Sequence, residues 1–280
     1  MKKLLNKAIP LVYGQYLNAY TLVAPKKGAE TAFHIFCTVR KGRISPEQAA
    51  YLDNHKLSVE KVAGHNIQSY HWPGNKETVL LVHGWESNTF RWRNLIKKLR
   101  EADFNIIAFD APSHGYSSGK HLYVPLYEEA LNHMVKKYQP KHLIGHSVGG
   151  MTIVYNQYKN PSDQVEKLVT IGSPSEFHEI MAHFQDLLKF NNRVMKHLDA
   201  YVQQRFGFKI DEFSTSQFAR SLSKKGLLFH DRYDKITPYH ASVAVNKNWQ
   251  ESQLISTEGL GHSMHQDDVN DQIVSFLEAW

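Results

Sequence analysis

The chain has 280 residues, 42% hydrophobic and 21% charged, with one cysteine and a formal net charge of +6 at pH 7. That apolar content excludes a disordered or collagen-like chain, and the lone Cys37 excludes an internal disulfide while suiting a reducing compartment. Residues 1–44 hold eight Lys and Arg against Glu30 alone, so the remainder is close to neutral and no nucleic-acid partner is expected.

The first residues, Met1-Lys2-Lys3-Leu4-Leu5, begin like a secretory signal, but Asn6, Lys7 and Pro10 interrupt the apolar run. The expectation is an uncleaved, cytoplasmic chain, and no stretch approaches the roughly 20 apolar residues that span a bilayer. Residues 1–58 read as a basic helical extension. Its lysines, with Leu4, Leu5, Leu11, Val12, Tyr16 and Leu17, suit weak peripheral attachment to an anionic membrane or an acidic partner. The competing reading is an arm packed on its own domain or on a dimer mate; the sequence leaves the oligomeric state open.

From residue 59 onward, short β-rich runs alternate with segments of helical spacing, which predicts an α/β domain with a mostly parallel sheet. Val59–Ala63 and Asn66–Trp72 form a hairpin around Gly64-His65, and the almost continuously apolar Thr78–Val82 reads as a strand buried on both faces. Further strands are expected at Asn105–Phe109, His142–His146, Glu166–Ile171, Gly226–His230 and Glu251–Ser256, eight in all. Helices are expected near 91–102, 124–138, 148–159, 238–249 and 267–280, with Thr237 as N-cap and Pro238 at the first helical position before the fourth of these. About 50 residues separate the strand ending near Ile171 from the next, too many for an ordinary connection. Residues 175–222 therefore read as a helical cap inserted into a core formed by 59–174 and 223–280, its aromatic and methionine side chains suiting a roof over an apolar pocket.

Gly145-His146-Ser147-Val148-Gly149 lies between a strand and a helix. This is the G-x-S-x-G arrangement, in which a tight turn thrusts the serine hydroxyl out of the sheet's carboxyl edge and small neighbours let strand and helix approach. A serine at its free pKa is a weak nucleophile, so a histidine must accept its proton and an acid must orient that histidine. Both occur in the required order at strand ends: Asp234 as the acid, with Asp231 and Glu176 as rivals, and His262, flanked by glycine, with His265 as the weaker competitor. His146 adjoins Ser147 and its side chain is expected to point away from the nucleophile; it is also a candidate substrate-binding group, as is the indole of Trp85.

On these residues, together with His83-Gly84-Trp85 and Asp110-Ala111-Pro112-Ser113-His114-Gly115-Tyr116-Ser117, the chain resembles the α/β-hydrolase superfamily. The second stretch is similar to the family's D-x-P-G-H-G-x-S, with Ser113 where glycine is usual. The resemblance covers about residues 59–280. It implies an eight-stranded, mostly parallel sheet with strand 2 antiparallel, helices on both faces and a cap after strand 6. It also implies an oxyanion hole made by the backbone N–H groups of Trp85 and Val148. Asp110 is assigned a structural, capping role.

The expected function is hydrolysis of a small-molecule carboxylic ester or thioester through an acyl-enzyme on Ser147. C–C bond hydrolysis, lactone opening and perhydrolysis use nearly the same groups, and a non-catalytic ligand-binding protein on this fold is the rival from another class. No dinucleotide or phosphate loop is present, so no cofactor is expected. No metal is expected either, because His178 and His183 lie about 140° apart around a helix.

Overall fold

The computed structural model describes residues 2–279, and of residues 2–7 only the backbone, so the apolar and basic contacts expected of Lys2, Lys3, Leu4, Leu5 and Lys7 lie outside the described side chains. The chain divides into two compact units, one made of Val39–Ser175 and Thr215 onward, the other of the residues up to Thr38 with Glu176–Ser214.

The strands are β1 Lys56–Val62, β2 His65–Trp72, β3 Thr78–Val82, β4 Asn105–Phe109, β5 His142–His146, β6 Lys167–Ile171, β7 Lys225–Asp231 and β8 Ser252–Thr257. The helices are α1 Lys2–Val23, α2 Pro25–Cys37, α3 Pro46–Leu52, α4 Arg93–Glu101, α5 Val124–Tyr138, α6 Val148–Lys159, α7 Phe177–Leu188, α8 Asn192–Phe206, α9 Thr215–Phe218, α10 His240–Asn248 and α11 Asp267–Glu278.

In the larger unit all eight strands form one sheet, in the order β1-β2-β4-β3-β5-β6-β7-β8. β2 runs antiparallel to both neighbours and every other pair beyond it is parallel, as expected from the sequence. β3 shows why its sequence is continuously apolar: Leu80 and Val82 join one core cluster with Leu131, Met134 and Ile153, while Val79 and Leu81 join the other with Leu95, Leu99 and Ile273. Alternate residues thus enter opposite layers, and α5 and α6 cover one face while α4 and α11 cover the other. Lys167, buried at the start of β6, donates from Nζ to the carbonyls of Phe276, Leu277 and Ala279, and so caps the end of α11.

Three local expectations are corrected. The hairpin turns at Ala63-Gly64, which take φ of 50° and 77°, and His65 is already in β2. Residues 39–58 fall with the sheet rather than with the N-terminal helices; Leu52, at the end of α3, is fully buried among Tyr70, Trp72 and Trp92. The helix expected from Thr237-Pro238 starts at His240 with Tyr239 as its N-cap, and the Thr237 hydroxyl bonds the Gly172 carbonyl and the Asp234 carboxylate instead of capping it.

The smaller unit contains α1, α2, α7 and α8, so the N-terminal helices and those of the long interval, expected as separate segments, share one unit. Pro25 opens α2 directly after α1. Phe33 of α2 meets Tyr201 and Phe206 of α8 at ring-centroid distances of 5.3 and 5.6 Å, and Phe36 meets Phe184 of α7 at 5.2 Å. Cys37 is fully buried, and burial pushes its thiol up, away from reactivity.

Candidate active site

Ser147 occupies the single residue between β5 and α6. Turning from strand to helix in one residue forces φ 52° and ψ −124° on it, a conformation that costs about 1–3 kcal/mol and persists only where its surroundings hold it. The holding groups bond its main chain. Its amide donates to the Ile171 carbonyl at 2.8 Å, and its own carbonyl accepts from the Gly150 amide at 2.9 Å and the Ser173 hydroxyl at 3.1 Å. A Cβ on Gly149 would stand 2.2 Å from the Val82 carbonyl oxygen, so only glycine lets α6 come this close to β3. The N-terminal end of α6, with its partial positive charge, begins at this serine.

His262 follows β8, and its Nδ1 lies 2.7 Å from Oδ2 of Asp234. A carboxylate only accepts, so the hydrogen between them is on Nδ1, and in the neutral ring Nε2 presents a lone pair. The Asp234 side chain is buried. Burial alone would raise its pKa, but the bonds from His262 and from the amides of Ile236 (2.8 Å) and Thr237 (3.1 Å) outweigh it and hold the carboxyl below its ordinary value.

The rival Asp231 has other partners. Fully buried, it accepts from the Tyr233 amide at 2.9 Å, the Thr257 hydroxyl at 2.9 Å and the Leu260 amide at 2.8 Å, which ties the loop after β7 to the loop after β8. His265 is exposed and enters the hydrogen bonding through its main-chain carbonyl, which accepts from Asn94 and Asn270. Glu176 belongs to the smaller unit, where its carboxylate accepts from the Ser214 hydroxyl at 2.9 Å.

His146 is buried beside His262, with ring centroids 4.7 Å apart, and its Nε2 lies 3.0 Å from the His262 carbonyl, to which it donates. Burial keeps this imidazole well below its ordinary pKa and therefore neutral. Its Nδ1 is buried without a partner among the described residues.

The segment His83-Gly84-Trp85 follows β3 and is fixed by two imidazoles. His83 donates from Nδ1 to the Gly84 carbonyl (2.8 Å) and accepts the Ala111 amide at Nε2 (2.9 Å). His114 accepts the Glu86 amide at Nε2 (2.9 Å). Both are buried, and burial lowers them to about 4 and about 3 respectively. Asp110 anchors the same region by accepting from the Tyr70 hydroxyl, the Thr89 amide and hydroxyl, and the Tyr116 amide, the structural role expected of it. Ser113 takes φ 72°, a backbone that favours glycine, and its hydroxyl donates to the His121 carbonyl at 2.8 Å. The half-buried Trp85 packs on the core and stands edge-on to His114 at 6.0 Å. The amides of Trp85 and Val148 donate to no protein acceptor among the described residues.

Two residues of this cluster were not among the site residues expected from the sequence. The Thr237 hydroxyl lies 2.9 Å from Asp234 Oδ2, 2.9 Å from the Gly172 carbonyl and 3.3 Å from His262 Nδ1. His230 lies fully buried beneath Asp234, its Nε2 3.5 Å from Oδ2 and its Nδ1 2.7 Å from the Ser242 hydroxyl. The Asp-x-x-Thr-Pro spacing was the one available clue to Thr237, and it equally fits a helix cap. Among the described residues no cluster of three His, Cys, Asp or Glu is arranged to hold a metal ion.

Residues 77–207 match the α/β hydrolase fold family. A stretch of 110 residues is 34% identical to the pimeloyl-[acyl-carrier protein] methyl ester esterase of Vibrio atlanticus, covering 39% of this chain and 41% of that protein. Another of 109 residues is 34% identical to a probable serine hydrolase of Drosophila melanogaster, covering 36% and 32%. The matches thus span about two fifths or less of the length of these relatives. Among solved structures, ferulic-acid-bound Est1E from Butyrivibrio proteoclasticus superposes with a TM-score of 0.65 over 79% of this chain and 98% of its own, at 17% identity, a likeness of fold. With its sheet order, its antiparallel second strand and the match over residues 77–207, the chain is an α/β-hydrolase-fold protein.

Proposed function

We propose that the chain is a serine hydrolase of small carboxylic esters or thioesters, with Ser147 as nucleophile, His262 as general base and acid, and Asp234 as the group that orients His262. The observation that carries this reading is the 2.7 Å bond between His262 Nδ1 and Asp234 Oδ2, which fixes the tautomer that leaves Nε2 able to take a proton. The strained backbone of Ser147 and the placement of Gly84 against it support the same reading.

In this mechanism Ser147 Oγ attacks the acyl carbon while its proton passes to His262 Nε2. The amides of Trp85 and Val148 receive the oxyanion, each contributing about 3–4 kcal/mol. Collapse breaks the bond to the leaving oxygen or sulfur, which takes the proton from His262. Water then attacks the acyl-enzyme, giving its proton to His262, and releases the acid and the free serine. His146 serves as a positioning residue through the His262 carbonyl rather than as a substrate ligand. The curated relatives named as a methyl ester esterase and a probable serine hydrolase favour an acyl ester over other bonds.

The test is labelling with a fluorophosphonate probe, combined with turnover of p-nitrophenyl esters and acyl-CoA thioesters of increasing chain length. The wild type labels on Ser147 and Ser147→Ala does not. Folded wild-type protein that resists the probe and turns over none of these substrates would overturn the proposal.

A further inference from the structure

From Ala8 to Pro25 the chain has no charged residue and no histidine, whereas bases stand at both ends: Lys2, Lys3 and Lys7 before the stretch, Lys26 and Lys27 after it. Helix α1 gives this stretch two unlike sides. Gly14, Leu17 and Thr21 are buried within the smaller unit. At 100° per residue Val12, Tyr16 and Val23 fall within about 40° of one another on the opposite side, and they are 67%, 50% and 82% exposed. Ile9 and Leu22 flank them, 49% and 63% exposed. A helix face in water ordinarily carries charge on its outer side; this one is uncharged, with hydrocarbon and tyrosine around the single amide of Gln15, and an exposed apolar patch of this kind marks an interaction surface.

We propose that the outer face of α1 docks onto an anionic lipid membrane, with the helix lying in the plane of the interface. Charge selects the occupant. Because bases flank α1 in the sequence on both sides, Lys26 and Lys27 opening α2, pairing with a second copy brings like charge together whether the two helices run parallel or antiparallel, a repulsive arrangement. A sheet of anionic headgroups meets both clusters at once while the uncharged band between them enters the acyl boundary. Tyr16 suits that depth, with an apolar ring and a polar hydroxyl. Among the described residues no helix is long and apolar enough to cross a membrane, so α1 lies on the bilayer rather than through it.

The experiment is co-sedimentation of the full chain with vesicles of phosphatidylcholine alone, or with about 30% phosphatidylglycerol, at about 50 mM and about 500 mM salt. The protein should pellet with the anionic vesicles at low salt and be released at high salt. Lys26→Gln and Lys27→Gln should each weaken partitioning about fivefold. Val12→Glu combined with Val23→Glu should abolish it, with circular dichroism and melting unchanged, since both positions point to solvent. Folded wild type that stays in the supernatant with anionic vesicles at low salt overturns the proposal, as does binding indifferent to the two glutamates. Dimerisation lost in Val12→Glu without any vesicle binding assigns the face to a second copy instead, and capture by acidic protein but not by lipid assigns it to that partner. No substrate enters the measurement, so its outcome is independent of the reaction proposed above.

Discussion

Asp231 and Leu260 are joined by a 2.8 Å hydrogen bond from main-chain amide to carboxylate, so the residue at the end of β7 holds the loop that carries His262. Asp234, three residues on, bonds the imidazole itself. The two acids therefore fail differently when neutralised. Asp234→Asn is expected to lower kcat by about 10⁴ with little change in melting, whereas Asp231→Asn is expected to cost about 1–3 kcal/mol of stability because buried donors lose their acceptor. Paired urea titrations and ester kinetics decide; a larger kcat loss in Asp231→Asn than in Asp234→Asn would reverse the assignment.

Gly84 offers a test that leaves every proposed reacting group in place. A Cβ there would lie 2.8 Å from His146 Nδ1 and 3.0 Å from Ser147 Cβ, both parts of the packed interior. Gly84→Ala should displace the Trp85 amide and lower kcat by about 10²–10³, with KM changing far less. Wild-type kcat in a folded Gly84→Ala protein would remove this segment from the oxyanion site.

Acid should unfold the protein before its carboxylates titrate. His83, His114 and His142 are buried, and burial holds them at about 4, 3 and 4 against 6.5 for a free imidazole. Between about pH 6.5 and 4 these three rings bind up to three more protons in the unfolded chain than in the folded one, so each pH unit of acidification removes at most about 4 kcal/mol, the steepest loss lying near pH 5. Their contribution is complete above pH 6.5 and is lost progressively below it. Urea midpoints should be level above pH 7 and fall steeply from 6.5 to 5; a level profile through that window would mean that these rings are hydrated. The depressed carboxyls of Asp231 and Asp234 add a further loss below about pH 4.

Lys167 supplies a prediction about stability alone. Its ammonium donates to three carbonyls at the end of α11, and Lys167→Met removes those donors without leaving a large cavity. The expected cost is about 2–3 kcal/mol, read by chemical denaturation; a change under about 0.5 kcal/mol would show that water replaces the lysine.

The sheet was legible because its signal is local. Val79–Val82 and Leu143–Ile144 are apolar on both faces, and buried parallel strands leave few alternatives. Ser147 was equally plain, since the glycines around it answer to a backbone geometry that few sequences tolerate. The choice between Asp231 and Asp234 rested on chain order, and the contact that favours Asp234 in the proposed mechanism, its carboxylate on His262 Nδ1, has no trace in the sequence. The hydrogen bonds of His146 and Thr237 were illegible for one reason: each pairs with a residue distant in sequence, the His262 carbonyl for His146 and the Gly172 carbonyl for Thr237, and no periodicity records such a pairing. The joining of α1 and α2 with α7 and α8 was hidden likewise, because an amphipathic stripe states that a face is buried but not against what.

That smaller unit is discontinuous along the chain, which makes its completion a question of time during synthesis. About 140 residues separate Thr38 from Glu176, and at roughly 5–20 residues per second a ribosome needs about 7–30 s to make them. Throughout that interval α1 and α2 have emerged while α7 and α8 do not yet exist, so Leu17, Ala32 and Phe33 lack the surface that later buries them. The nascent chain passes through a window in which both sides of α1 are apolar and open, and whatever shields it then, whether a chaperone or the bilayer itself, has first access to the helix.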